Sequence, residues 1–165
     1  MIVIRLCKIL LTLALAGFAA IVTYDNLIDY GMNYTFVQHV MSMDTTFPEN
    51  TLKGRAITNE TVWRVAYTIV IVAEAATALL LILGAGAMTM NLRAPAARFN
   101  RAKALMVAGA TVGFGLWFFG FMVVAGEYFT MWESKSWNTE EAAFRFYMAI
   151  LGVLIFVSLR DEELA

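Results

Sequence analysis

Four stretches of this chain are long, apolar and nearly free of charge, and that repetition leaves few folds open. A hydrocarbon core about 30 Å thick is crossed by a helix of about 20 residues, which satisfies every backbone N–H and C=O within its own segment. Runs of this kind predict spans at about 4–24, 62–90, 104–126 and 142–159. The fold class that follows is all-α, an integral membrane four-helix bundle with a long outer first loop containing a short amphipathic helix. Residues 1–165 form a single transmembrane domain. Composition agrees, since 61% of residues are hydrophobic and 15% charged, so the lipid bilayer is the first partner. With a net charge of −1 and scattered basic residues, no positive surface suited to nucleic acid is present. Cys7 is the single cysteine and reads as a small apolar residue, buried or facing lipid.

The first run opens with Arg5 and Lys8, which are read as snorkelling outward from the span. A signal peptide competes for the same residues, with Ala14-Leu15-Ala16 before Gly17, but the apolar run continues through Val22 and is read as an uncleaved span. A polar connection from Asp25 to Thr61 follows. Within it Phe36, Val37, Val40 and Met41 fall on one side of a short helix, which Asp44 and Pro48 bring to an end. Asn33-Tyr34-Thr35 and Asn59-Glu60-Thr61 match a glycosylation acceptor pattern that would matter only in a eukaryotic secretory membrane. Asn59 is placed to cap the second span.

The stretch 126–147 separates the last two runs and holds Tyr128, Trp132 and Trp137, amphipathic rings suited to a membrane surface. Asn138 with Glu141 has the spacing of a capping box at the start of the fourth span. If both termini face the cytoplasm, Arg5, Lys8, Arg93, Arg98, Arg101, Lys103 and Arg160 lie inside, against Lys53, Arg55 and Lys135 in outer loops. That is the positive-inside asymmetry. The two hairpins differ too much in loop length to form an internal repeat.

Charge inside a span marks the place to look for function. Arg64 and Arg145 lie in the first turns of their helices, each four residues after an acid, Glu60 and Glu141, so local ion pairs account for them. A second arrangement joins Arg145 to Glu127 across the last hairpin and would fix its register. Glu74 has no base three or four positions away and lies about 18 Å below Val62, near the bilayer centre. An isolated charge there is costly, so Glu74 is expected to be a neutral acid bonded within the bundle, with Trp117 and Tyr67 as candidate partners, or a proton or cation relay. Gly109 and Gly113 form a small-xxx-small pair that admits another helix closely. His39, Met41 and Met43 are soft donors on the outer side that suit Cu(I), although packing explains the methionines as well.

The outer strings FVQHVMSMDTTF, from Phe36 to Phe47, and GEYFTMWESKSWN followed by AFRF, from Gly126 to Phe146, resemble a bacterial family described as predicted small integral membrane proteins of unknown function. The resemblance covers nearly the whole chain. Relatives often carry Trp in place of Tyr128 and Leu in place of Met41, and the second departure weakens the copper reading. What the resemblance implies is a bacterial inner membrane protein with no assigned activity.

No paired-His motif, Ser/His/acid arrangement or glycine-rich phosphate loop is present, so the chain is not read as an enzyme. A single His excludes haem ligation by a His pair within the chain, and no cofactor is expected. Two functions of different class follow. One is an accessory or scaffold subunit of a larger membrane complex, docked through the glycine-bearing third helix, or a homo-oligomer. The other is a small proton- or ion-binding transport protein using Glu74, with outer-side copper binding as a third.

Overall fold

The computed structural model describes residues 2–163. Helix α1 is Ile2–Ile28, α2 Tyr30–Ser42, α3 Glu60–Met90, α4 Ala96–Ala102, α5 Ala104–Phe114 and α6 Glu140–Ser158. Between α5 and the final loop, Gly115–Tyr128 continues the third span as a π-helix. Its wider winding is seen where the Phe129 N–H reaches the Val124 carbonyl at 3.0 Å, five residues back. Four helical stretches are long and apolar enough to cross a membrane: Ile2–Ile28, Glu60–Met90, Ala96–Tyr128 and Glu140–Ser158.

The helices differ from the expected spans mainly at their ends. α1 does not stop at Tyr24, because Asp25 is tolerated on an exposed face while Asn26 turns inward. The helical stretch that carries the third span begins at Ala96, ahead of 104, since Pro95 sets the entry conformation of a helix and Lys103, with helical backbone angles, joins α4 to α5. Asn59 caps α3 through its side-chain oxygen, which accepts from the N–H groups of Thr61 at 2.9 Å and Val62 at 3.3 Å. Asn138 accepts from the Glu140 N–H at 2.9 Å, but α6 begins one residue later than a capping box would require, and Glu141 is spent elsewhere.

α1 and α3 pack along matching stripes. Arg5, Thr12, Ala19 and Asn26 are buried at seven-residue spacing on α1, and Tyr67, Glu74, Leu81 and Met88 at the same spacing on α3. Seven-residue recurrence keeps one face against a partner helix over many turns. α5 packs on α3 at very close range: a Cβ on Gly84 would lie 2.5 Å from the Met106 backbone nitrogen. The main core gathers Leu15, Leu81, Met88, Phe99, Met106, Trp117 and Ile150.

A second, smaller core sits at the loop end of the bundle, where Val40, Met43, Phe129 and Met131 meet under α2. Here the two long loops are tied together. Glu133 accepts from the Phe47 N–H at 3.0 Å and from the Asn50 amide at 2.9 Å, and the Ile57 N–H donates to the Met41 carbonyl at 2.8 Å. Trp63 of α3 joins them by donating its ring N–H to the Ile57 carbonyl at 2.7 Å. Thr130 adopts a left-handed backbone with φ of 50°, and its hydroxyl accepts from Asn50 at 2.8 Å. The opposite end of the bundle holds both the start of α1 and the segment after α6.

Candidate functional site

The side chains that converge on Glu74 come from three helices. Glu74 on α3 is 2% exposed, and its Oε2 accepts from the Asn26 amide of α1 at 2.6 Å. The Asn26 side-chain oxygen accepts from the Asn33 amide of α2 at 2.5 Å and from the Tyr67 hydroxyl at 3.1 Å; the same hydroxyl lies 3.2 Å from the Asn26 backbone carbonyl. Tyr30 packs on Tyr67 at 4.7 Å between ring centroids. The group is thus a chain of donors ending on the carboxylate, with Asn26 at its centre. Glu74 Oε1 accepts no hydrogen bond from the protein among the described residues.

Asn26 is the member that sequence reasoning misses, because Asp25 opens the polar connection that follows the first apolar run. Tyr67 belongs to the group through Asn26 rather than by a direct bond to Glu74. Trp117, the other expected partner, is buried beside Phe18 and Phe146, at 5.5 Å and 5.9 Å between rings, and no hydrogen bond joins it to Glu74 among the described residues. Glu74 lies about 21 Å along α3 from Glu60 and about 24 Å from Met90, close to the middle of the helix.

Tyr67, Asn26 and Glu74 form the polar end of a cavity of about 610 Å³. Asn33, Ser136 and Thr139 also line it, but most of its wall is apolar: Val22 of α1, Phe36 and Val40 of α2, Val70 of α3, Trp117 and Phe121 of the π segment, and Ala143 and Phe146 of α6. Every π-segment residue on the wall, Leu116, Trp117, Gly120, Phe121, Val124 and Ala125, recurs in pairs four apart, so this stretch presents one continuous stripe to the cavity. Departures from α-helical winding are frequent at functional sites. Met32 and Ile69, both largely exposed, line the mouth between α2 and α3, and the exposed Ser136 lines the side toward the last loop.

A second buried carboxyl lies at the termini end. Asp161 contacts Lys8 Nζ at 2.7 Å and Lys103 Nζ at 2.5 Å, with Arg5 Nε 4.0 Å away. Burial alone would push this carboxyl up, but the Lys103 and Lys8 ammoniums hold it below the usual carboxylate range. The cations exceed the acid because they also serve helix ends. Arg5 donates to the Leu92 and Ala94 carbonyls just past α3, while Lys8 and Lys103 both donate to the Leu159 carbonyl just past α6. Positive charge at a helix C-terminus complements its dipole. Arg5 and Lys8, expected to snorkel outward, are 0% and 1% exposed. Their heads are drawn inward because the bundle supplies more acceptors than the lipid surface does.

The remaining candidates are more local. Arg145 pairs with Glu141, one turn before it, and both are exposed. The alternative bond to Glu127 does not form; the hairpin sets Gly126 against Glu140 instead, where an added Cβ would lie 2.5 Å from Glu140 Oε1. Arg64 pairs with Glu60 at 2.5 Å and lies over the Tyr34 ring at 5.3 Å. Gly109 and Gly113 face the chain's own helices: a Cβ at Gly109 would meet Leu80 at 2.9 Å, and one at Gly113 would meet Thr77 at 2.9 Å and Ile150 at 3.2 Å. His39 is held by Asp44 at 2.8 Å and stacked on Trp137 at 4.6 Å, while Met43 is buried in the loop-end core with Met41 against it. Among the described residues no group of three or more His, Cys, Asp or Glu is placed to hold a metal ion. Cys7 is exposed on α1.

The chain belongs to the family described as predicted small integral membrane protein (DUF2165), whose profile matches residues 4–160. Among curated proteins, and among solved structures, nothing matches it.

Proposed function

We propose that the protein binds a small, largely apolar molecule within the membrane, as a carrier or receptor, with Glu74 as the titrating group of the site. The observation that carries this reading is the cavity itself, about 610 Å³ with mostly apolar walls and a carboxyl at one end. Pockets of about 300–1,000 Å³ with a few convergent polar groups are the usual form of small-molecule sites. The mouth at Met32 and Ile69 suits entry from lipid, and the side at Ser136 suits exit toward water. No covalent chemistry is part of this function.

The reading sets the chain in a bacterial inner membrane with both termini cytoplasmic. The basic residues Arg93, Arg98, Arg101 and Arg160, beside the buried Arg5, Lys8 and Lys103, support that orientation. An accessory role in a larger membrane complex, or a homo-oligomer, loses the support of Gly109 and Gly113, whose close contacts are filled within the chain. It keeps the exposed Trp132, packed against Phe47 at the loop end.

Filling the cavity tests the function. A Cβ at Gly120 meets only Leu116, at 3.6 Å, so a side chain can begin there without a backbone clash, and Gly120→Leu places its bulk at the cavity wall. Native mass spectrometry after extraction in mild detergent should show a small molecule on the wild-type protein that the Gly120→Leu variant lacks. The same bound mass on both proteins would remove the cavity from consideration.

A further inference from the structure

Resting on that reading, we propose that the ligand is a lipophilic organic monocation, held with its positive charge against Glu74 and exchanged there for a proton. The polar inventory of the cavity points to this class. Glu74 and Tyr67 are the only ionisable side chains among the residues that line it; no Arg, Lys or His does so. The donors nearby are already directed: Asn26 donates to Glu74 Oε2, while Tyr67 and Asn33 donate to Asn26. Glu74 Oε1 is left without a protein donor, in surroundings where an uncompensated charge is costly. It therefore needs a proton of its own or a cation brought by the ligand.

An anionic amphiphile, such as a fatty acid or a phospholipid headgroup, would set a like charge beside Glu74 with no basic partner in reach. A cation is favoured by the carboxylate, and the aromatic residues Trp117, Phe121 and Phe146 on the walls add a surface that tolerates positive charge better than negative. The charge balance closes without another group: one proton leaves Glu74 as one monovalent cation enters, and the cavity stays neutral. The titratable groups around the carboxyl leave that exchange to Glu74 alone. α3 contributes Tyr67; α2 contributes Tyr30 and Tyr34, which face Tyr67; Asp29, at the α1–α2 junction, makes no hydrogen bond or ion pair with Glu74 among the described residues. From α1 comes the Asn26 amide, and from the π segment and α6 come Trp117 and Phe146, none of which titrates.

The test uses the full chain in lipid nanodiscs with two probes of one shape and opposite charge, tetraphenylphosphonium and tetraphenylborate, and with neutral triphenylmethane. Calorimetry in buffers of different ionisation enthalpy reads affinity and proton release together. The expected result is at least tenfold preference for the cation over the anion, about one proton released per cation bound, and weaker cation binding as pH falls. Glu74→Gln should lose at least tenfold in cation affinity and all proton release, while Glu74→Asp keeps the preference for the cation, which separates lost charge from lost fold. Equal binding of both ions, or unchanged cation affinity in Glu74→Gln, overturns the proposal. If triphenylmethane binds and Gly120→Leu abolishes that binding while the cation shows no preference, the ligand class is wrong and the cavity function stands. If Gly120→Leu changes none of the three, both fall.

Discussion

Asp161 at the termini end of the bundle and Glu74 midway along α3 are both buried carboxyls, and their surroundings could hardly differ more. Asp161 is ringed by Lys8, Lys103 and Arg5, and those cations also close the ends of α3 and α6. Glu74 is buried as thoroughly but meets only the amide of Asn26, with open space beyond it. A buried acid saturated with cations is a fastener, since neither partner can leave without stranding the other. One without a cation, beside a cavity, has a vacancy in its electrostatics that a ligand can fill. The contrast teaches that burial alone does not set an acid apart: Glu74 is distinguished by having no counter-ion and an apolar cavity beside it.

The largest expected effect should come from the fastener. Asp161→Ala leaves three buried cations without their acid and should destabilise the bundle by about 3–5 kcal/mol, read as a fall in thermal midpoint in detergent. A midpoint within error of the wild type would erase the distinction between the two carboxyls. Asn26→Leu comes next, at about 1–3 kcal/mol, because Glu74, Tyr67 and Asn33 all lose a partner at once. Acid should act on the Asp161 end as well. Its carboxyl is held below the ordinary 3.8, so the stability it contributes is complete above that value and is lost as pH falls below it. Unfolding curves recorded near neutrality and at about pH 3 should therefore diverge for the wild type and much less for Asp161→Asn. Smallest of all should be Glu74→Gln, at about 1 kcal/mol or less, since an amide oxygen still accepts from Asn26. A loss as large as that of Asp161→Ala would make Glu74 a second fastener.

The four spans were legible because long uncharged runs admit little else, and the short helix carrying Phe36, Val37, Val40 and Met41 was legible from its periodicity. The polar networks were not, because hydropathy records that a charge is present and not which way it points. Arg5 and Lys8 looked like anchors at a lipid surface, and Asn26 looked like the first turn of a loop. One signal was available: Arg5, Thr12, Ala19 and Asn26 stand seven apart, as do Tyr67, Glu74, Leu81 and Met88. Setting those two stripes face to face would have brought Asn26 toward Glu74. The cavity had no comparable trace, since its walls are drawn from α1, α2, α3, the π segment and α6, which are far apart in the sequence.

The bond between Lys8 and Asp161 also imposes an order on how the protein is made. Its two partners are separated by 153 residues, so α1 must enter the bilayer with Arg5 and Lys8 still unmatched. Arg5 gains its Leu92 and Ala94 acceptors once the chain has emerged through Ala94, whereas Lys8 must wait for Leu159 and Asp161, so the lock on α1 closes in two steps.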